Sequence, residues 1–176
     1  LNPRMTVRET LTEVLKIHNF DDRERRIEEA LNRVELNPPE RFIDKRPPAL
    51  SGGEKQRVSI ARALIVEPTI LLADEPVSML DVSTQASILK LLSRLSRDLG
   101  VSIMYISHDI STVSYLCEEI NVMYLGRLVE SGPTEELIDD PKHPYTRALI
   151  QAVPIPDPHD NRARTRLEGA TPDPVG

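Results

Sequence analysis

A glycine pair opens a helix-forming segment at residues 51–57, whose sequence is Ser-Gly-Gly-Glu-Lys-Gln-Arg. Ser51 and Glu54 have the spacing of a capping box, in which each side chain bonds the backbone N–H of the other residue. That cap does not explain Gly52 and Gly53, because a glycine inside a helix costs about 1 kcal/mol relative to alanine. An anion that closely approaches the bare N–H groups of a helix start would explain them. The segment therefore predicts a phosphate-binding helix start, to which the Ser51 hydroxyl adds a donor.

Two adjacent carboxylates follow a short apolar run. Asp74 and Glu75 come directly after residues 70–73, Ile-Leu-Leu-Ala, and directly before Pro76. A surface turn would be the favoured interpretation of this pair in isolation. The carboxyl end of a strand is, however, where α/β sheets bind their ligands, and neighbouring side chains of a strand point in different directions. We therefore expect Asp74 and Glu75 to have distinct roles at a ligand site.

His108 and Asp81 are two further polar residues whose positions are informative. His108 follows a predicted strand at 101–106, which should lie beside the strand at 70–73, so His108 is expected near the same ligand. Asp81 precedes a predicted helix, and its simplest role is to cap that helix. A contribution of Asp81 to catalysis is the alternative.

Helical patterns cover residues 1–49, and helices alternate with strands from Ser51 onwards. Thr6 opens the first helix with a capping-box pattern, and Gly100 is placed to end the long helix at 83–99. Pro47-Pro48 favours an extended approach to Leu50. Further helices are predicted at about 21–36, at 51–67, after Asp109, and at 134–138 and 145–152.

The predicted strands form a parallel pair and a hairpin. The apolar run 70–73 is typical of a strand that is buried on both faces of a parallel sheet. Residues 120–125 and 128–131 have the pattern of a hairpin around the two-residue turn Gly126-Arg127. The tail from Val153 holds five prolines among 24 residues, so it is expected to be extended or mobile.

Composition argues against several classes of protein. The net charge of −6 comes from 22 basic and 28 acidic residues, and the basic residues are scattered, so no nucleic-acid partner is expected. The single cysteine, Cys117, is incompatible with a disulfide framework or a cysteine-based metal site, as suits a cytosolic protein. The longest apolar runs are far shorter than the roughly 20 residues that span a bilayer. Any membrane role is therefore expected to be peripheral, through partner subunits.

The order of these motifs resembles that of the ATP-binding cassette (ABC) ATPases. Residues 50–57 are similar to the signature motif of that family, 70–75 to its Walker B strand, 78–81 to its D-loop and His108 to its H-loop histidine. The resemblance implies ATP and Mg²⁺ as ligands. It implies that Ser51, Gly52, Gly53, Glu54 and Asp81 bind ATP held by an opposite subunit, that Glu75 is the general base, that His108 contacts the γ-phosphate, and that Asp74 holds Mg²⁺ through water.

Both ends of the chain resemble one group within that family, the oligopeptide/dipeptide importers. Residues 1–7 are similar to the stretch that follows the Q-loop glutamine in this group, and 143–149 are similar to its His-Pro-Tyr-Thr segment. Residues 166–169 and 172–174 resemble the segment that trails it. His143 and Tyr145 are markers of the group, and packing of the C-terminal helix is their expected role.

The resemblance implies an α/β fold, the P-loop NTPase core of an ABC ATPase, with a mainly parallel sheet and a helical subdomain. It divides the chain into a helical subdomain with the signature motif at 1–60, part of the catalytic core at 61–132, and a C-terminal extension of the oligopeptide-importer type at 133–176. A glycine-rich phosphate loop ending in Gly-Lys-Ser or Gly-Lys-Thr does not occur in the 176 residues, so the fold is expected to be incomplete at its N-terminus. On its own, the chain is expected to lack tight nucleotide binding and to self-associate through uncovered sheet surface.

These expectations combine into an ATP-binding and ATP-hydrolysing subunit of an ABC importer for oligopeptides or related solutes. Its implied partners are a second ABC ATPase subunit, transmembrane permease subunits and, indirectly, an extracellular solute-binding protein. Its implied location is the cytoplasmic face of the cell membrane. Two alternatives stay open: a truncated cassette that only docks a partner, and an ABC ATPase that acts outside transport.

Overall fold

The computed structural model describes residues 1–152, and its backbone contacts divide the chain into two compact units. The first unit covers Leu1–Ile106 and the second begins at Ser107. The tail from Val153, which was expected to be extended or mobile, lies outside the described residues. Within the described part, no helix has the length and the apolar composition that crossing a membrane needs. The three-part division expected from the resemblance stays a prediction.

The first unit is a group of helices followed by a parallel strand pair. Helices α1 (Val7–Ile17), α2 (Arg23–Arg33) and α3 (Gly52–Leu64) pack against one another, and α4 (Val82–Leu99) packs against α3. Apolar residues at helical spacing supply the buried surface, with Leu11, Ile27, Leu31 and Leu92 among the side chains that are fully buried. The elements in chain order are α1 (Val7–Ile17), α2 (Arg23–Arg33), α3 (Gly52–Leu64), β1 (Ile70–Asp74), α4 (Val82–Leu99) and β2 (Ser102–Ile106).

Several predicted helix ends are confirmed. Thr6 and Glu9 form a complete capping box at the start of α1. Gly100 ends α4 with a left-handed φ of +64°, a conformation that costs glycine little. Asp109 accepts a hydrogen bond from the Ser111 N–H at 3.0 Å and caps the next helix. All of these are local signals, with the interacting residues at most a few positions apart.

Two stretches differ from the prediction. The second helix is shorter than the expected 21–36, because Glu35 has a left-handed φ of +60° and α2 stops at Arg33. Pro47-Pro48 does not extend the chain fully, since Pro47–Ala49 form a turn of 3₁₀ helix, while Arg46 before the turn and Leu50 after it are extended. Proline is tolerated in a first helical turn because its missing N–H is not needed there.

β1 and β2 form the predicted parallel pair. They pair in register along their length, so that Asp74 and Ile106 lie at the same edge. The prediction that 70–73 is buried on both faces is wrong. Leu71 is buried, whereas Leu72 is 61% exposed, because this sheet has two strands in the described chain and only one of its faces is covered.

The second unit is built around an antiparallel hairpin. Ile120, Val122 and Leu137 are its buried apolar residues, and Tyr145 and Leu149 pack against them. Its elements are α5 (Ile110–Leu116), β3 (Glu119–Tyr124), β4 (Arg127–Pro133), α6 (Thr134–Asp139) and α7 (Pro144–Ala152).

The hairpin is confirmed, but its turn lies one residue earlier than predicted. Tyr124 pairs with Arg127, so the turn residues are Leu125 and Gly126. Their φ angles are +47° and +74°, and positive φ at both positions is the turn geometry that matches strand twist. The sequence prediction missed this turn because leucine rarely adopts a positive φ.

Candidate functional site

The predicted capping box holds the start of α3. The Ser51 hydroxyl accepts a hydrogen bond from the Glu54 N–H at 3.2 Å, and the Glu54 carboxylate accepts one from the Ser51 N–H at 2.7 Å. As the first residues of the helix, Gly52 and Gly53 have N–H groups for which no preceding turn offers a carbonyl. Ser51 and Gly52 are exposed. A helix start of this kind can bind an anion.

Both glycines also lie against the segment that begins α4. A Cβ atom added at Gly53 would be 2.7 Å from the Cγ2 methyl of Thr84, and one at Gly52 would be 3.1 Å from the Cδ2 atom of Leu80. The first distance is far below a normal carbon–carbon contact of about 3.5–4.0 Å. A close contact within the chain therefore explains why position 53 is a glycine, in addition to the anion binding that the sequence indicates.

Asp81 caps α4. Its carboxylate accepts hydrogen bonds from the Thr84 N–H at 3.0 Å and from the Thr84 hydroxyl at 2.7 Å. Hydrogen bonds from the Ser83 hydroxyl and then from Thr84 hold the pKa of Asp81 well below its usual range, so the side chain is charged at neutral pH. The capping role is confirmed, and a direct role of Asp81 at ATP stays a prediction.

The backbone at Glu75 is strained. Glu75 has a left-handed φ of +45°, and its N–H donates to the carbonyl of Ile106 at 2.9 Å. The Ser78 hydroxyl donates to the Glu75 carbonyl at 3.1 Å. A positive φ at a residue with a long side chain costs on the order of 1–3 kcal/mol, and such strain is concentrated at functional sites. At the carboxyl end of β1, hydrogen bonds to neighbouring residues thus hold the backbone of Glu75 in an unusual conformation.

Gln85 fixes the loop between β1 and α4. Its side-chain amide donates to the carbonyls of Val77 and Leu80, each at 3.1 Å. The same loop carries Met79, which is 97% exposed. The role of Gln85 could not be predicted, because no sequence pattern distinguishes this glutamine from others inside a helix.

The predicted site residues lie in three places. Residues 51–53 and 80–84 contact each other through the glycines of α3. Asp74 is exposed and Glu75 is half-buried at the carboxyl end of β1. His108 is exposed and belongs to the second unit. The roles of Asp74, Glu75 and His108 at one shared ligand stay predictions.

Two arginines anchor α3 and α4 to the end of α2. Nη1 of Arg57 donates to the Val34 carbonyl at 2.6 Å and to the Glu35 carboxylate at 2.8 Å, and Nη2 donates to a serine hydroxyl of α4 at 2.7 Å. Arg94 pairs with the other oxygen of Glu35 at 2.6 Å and donates to the last carbonyl of α2 at 3.0 Å. Arg57 lies in the glycine-pair motif, but its role could not be predicted because its partners are distant along the chain.

His143 and Tyr145 position α7. The Nδ1 atom of His143 accepts a hydrogen bond from the Tyr145 N–H at 3.1 Å. Just before the helix, the Glu130 carboxylate accepts the N–H groups of Lys142 at 2.7 Å and His143 at 3.0 Å. The ring of Tyr145 lies 4.5 Å from that of Tyr124 and packs on the apolar residues of the hairpin. The expected packing role of Tyr145 is confirmed, whereas His143 bonds the backbone at the start of α7 and its packing role stays a prediction.

Two family models match the chain. One, described as ABC transporter, matches residues 1–78. The other, described as the C-terminal region of oligopeptide/dipeptide transporters, matches residues 129–175. The first stretch contains the glycine pair and the acidic pair, and the second contains the His-Pro-Tyr-Thr segment.

Relatives are similar to the chain along nearly its whole length. The oligopeptide transport ATP-binding protein OppF of Bacillus subtilis is 45% identical over 94% of this chain. The dipeptide transport ATP-binding protein DppF of Escherichia coli is 43% identical over 99% of it. The chain spans about half the length of these relatives, 55% and 53% respectively.

A solved structure confirms the fold class. The structure of a dimeric bacterial ABC transporter cassette is 33% identical to the chain and superimposes with a TM-score of 0.63. The match covers 76% of this chain and 59% of that one. The expected α/β fold with parallel strands is therefore that of part of an ABC ATPase core.

Proposed function

This chain belongs to the ABC transporter ATPases, in their oligopeptide/dipeptide group, and on that premise we propose that it is part of an importer subunit that binds and hydrolyses ATP. The observation that carries the proposal is the start of α3, where a capping box presents two glycines at an exposed helix end. A capped helix start with bare N–H groups suits a phosphate. The acidic pair at the edge of β1 supplies groups that phosphate hydrolysis needs. The imported solutes are oligopeptides or related compounds.

The first turn of α3 binds the γ-phosphate of an ATP molecule held by a second ABC ATPase subunit. The donors are the N–H groups of Gly52 and Gly53 and the hydroxyl of Ser51. The positive end of the helix dipole adds about 0.3–1 kcal/mol of attraction for an anion. Glu54 acts indirectly, because its carboxylate accepts the Ser51 N–H at 2.7 Å and so fixes the turn. Asp81 contributes from the adjoining loop.

Glu75 is the general base of the hydrolysis. It accepts a proton from water while the water oxygen bonds to the γ-phosphorus and the bond between that phosphorus and the ADP oxygen breaks. The products are ADP and inorganic phosphate. Half-burial and a fixed backbone suit a base that must hold one orientation. His108 contacts the γ-phosphate.

Asp74 fits a magnesium site. Mg²⁺ is commonly held by one or two carboxylates together with phosphate oxygens and water, and Asp74 is an exposed carboxylate at the sheet edge where ligands bind. When bound, Mg²⁺ would neutralise charge on the phosphates, and Asp74 would hold it through water.

The partners follow from this activity. A second ABC ATPase subunit supplies the rest of each ATP site. Transmembrane permease subunits receive the motion of the two ATPase subunits, and an extracellular solute-binding protein delivers the solute. The subunit therefore acts at the cytoplasmic face of the membrane, and nucleic acid is not among its partners.

Replacement of the base tests the proposal in the full-length subunit, assembled with its permease in lipid vesicles. We expect Glu75→Gln to lower ATP hydrolysis on the order of 10²–10⁴-fold, because the amide cannot accept the proton. ATP binding should be retained, since the substitution keeps the size of the side chain. Phosphate release and binding of labelled ATP measure the two effects.

A matched control separates this effect from a general loss of charge. Glu13 is exposed on α1, and Glu13→Gln should leave hydrolysis unchanged. Hydrolysis by Glu75→Gln at the wild-type rate would contradict the assignment of the base. A wild-type protein that assembles with its permease but does not hydrolyse ATP would favour the docking-module alternative.

A further inference from the structure

The two glycines of α3 face different neighbours. A Cβ at Gly52 would meet the Cδ2 atom of Leu80 at 3.1 Å, and that atom is the end of a flexible side chain. A Cβ at Gly53 would meet the Cγ2 methyl of Thr84 at 2.7 Å. The second contact is shorter, and its partner is a β-branched residue with restricted side-chain rotation. Only the contact at Gly53 is therefore hard to relieve.

Thr84 is held in place by Asp81. Its hydroxyl donates to one oxygen of the Asp81 carboxylate at 2.7 Å, and its N–H donates to the other oxygen at 3.0 Å. Hydrogen bonds to a charged carboxylate are stronger than those between neutral groups. Turning the methyl group away from Gly53 would break the hydroxyl bond. The cap of α4 thus fixes the surface on which the first turn of α3 rests.

We propose that Thr84 is a positioning residue for the ATP site: held by Asp81, its methyl group seats the first turn of α3 and sets where the Gly53 N–H meets the phosphate. The catalytic consequence rests on the function proposed above, whereas the contact itself does not. Glycine is required at 53 by Thr84, in addition to any need for close approach of a phosphate. Residues 53 and 84 therefore act as a pair.

A double-mutant cycle in the full-length subunit tests the pair. Gly53→Ala places a methyl group against Thr84, while Thr84→Ser removes the opposing methyl and keeps the hydroxyl that bonds Asp81. We expect Gly53→Ala to lower the Tm by about 5 °C and to lower kcat for ATP on the order of 10- to 100-fold through misplacement of the turn. In the double variant, Thr84→Ser should restore most of both losses.

Gly52→Ala is the matched control. Rotation of Leu80 relieves its contact, and alanine favours a helix more than glycine does. Its Tm should therefore equal or slightly exceed that of the wild type. Adding Thr84→Ser to Gly52→Ala should change the Tm no more than Thr84→Ser does alone.

The outcomes separate the contact from its catalytic role. A double variant with the same Tm and kcat as Gly53→Ala would overturn the proposal. Recovery of the Tm without recovery of kcat would also overturn it, because the contact would then be structural only. If Gly53→Ala does not accumulate as folded protein, we expect the double variant with Thr84→Ser to fold. Failure of the double variant to fold would then overturn the proposed contact between residues 53 and 84. A wild-type protein without ATPase activity would refute the proposed function, while the Tm cycle still decides the contact.

Discussion

The carboxylate of Asp81 stabilises the start of α4 most strongly while it is charged. Hydrogen bonds from Ser83 and Thr84 lower its pKa in the folded protein, whereas the unfolded chain keeps the ordinary value of about 3.9. A group with a lowered folded pKa adds stability that is present above the unfolded pKa and is lost as pH falls through the folded pKa. The contribution of Asp81 is therefore constant near neutral pH and declines below about pH 4.

Asp81→Asn isolates this charge. Asparagine caps helices about as well as aspartate, so the difference between the two proteins measures the effect of the charge. We expect the variant to have a lower Tm than the wild type at pH 7, and we expect this difference to shrink below about pH 4. Thermal unfolding followed by circular dichroism from pH 7 to pH 3 measures it. Asp98→Asn at the other end of α4 is the control, and it should not lower the Tm because a negative charge is unfavourable near a helix C-terminus. A Tm difference for Asp81→Asn that is constant over this range would contradict the assignment.

At the residue scale, sequence predicts what is local. The capping box of Ser51 and Glu54 was predictable because both partners lie within one helical turn. The contact between Gly53 and Thr84 was not, since it depends on how α3 and α4 pack. For the same reason, the sequence pattern indicated anion binding as the only explanation for the glycine pair. The Thr84 methyl group, which lies close to Gly53, is a second explanation.

Among the elements, the hairpin of the second unit depends on one glycine. Gly126 has a φ of +74°, and Gly132 in β4 has an ordinary φ with open space around its Cα. We expect Gly126→Ala to lower the free energy of unfolding by about 1 kcal/mol, because alanine is strained in the left-handed region. Gly132→Ala should cause no such loss, and urea unfolding of both variants measures the difference.

The two substitutions also test the conformation of the turn. A turn at Leu125-Gly126 gives Gly126 a positive φ, so equal stabilities of the two variants would contradict that conformation. A one-residue slip would move every side chain of a strand to the opposite face. The buried positions of Ile120 and Val122 therefore depend on the same turn.

Sequence patterns predicted correctly whether nearly every element is a helix or a strand. They predicted fewer of the residues at which those elements begin and end. The helix at α2 was expected to continue to 36, because its apolar spacing extends through Val34. It stops at Arg33 because the next carbonyls are taken by arginines of other helices and Glu35 turns left-handed. A helix end that is determined by tertiary contacts cannot be read from the local sequence pattern.

At the scale of the whole molecule, the first unit has one covered apolar surface and one exposed surface. Ile70, Leu72 and Met104 are each more than half exposed, and Leu72 and Met104 are paired across β1 and β2. Contiguous exposed apolar surface on a sheet favours association. The alternation of helix and strand predicted the parallel pair, but a four-residue apolar run could not show how many of its faces have a neighbour.

We expect the 176-residue chain to self-associate through this face. Leu72→Lys together with Met104→Lys should shift the chain toward monomer in sedimentation velocity, because two charges then lie in the apolar row. Met79→Lys is the control, since Met79 is 97% exposed in a loop outside that row. A wild-type chain that sediments as a monomer at high micromolar concentration would contradict the expectation.

The junction of α2, α3 and α4 at Glu35 has a consequence for ionic strength. The carboxylate of Glu35 is 44% exposed and bonds both Arg57 and Arg94, so molar salt, with a screening length of about 3 Å, weakens its attraction to them. Each arginine also donates to a neutral backbone carbonyl near the end of α2. Those bonds depend little on screening. The three helices therefore stay joined in concentrated salt, where a junction made of ion pairs alone would loosen.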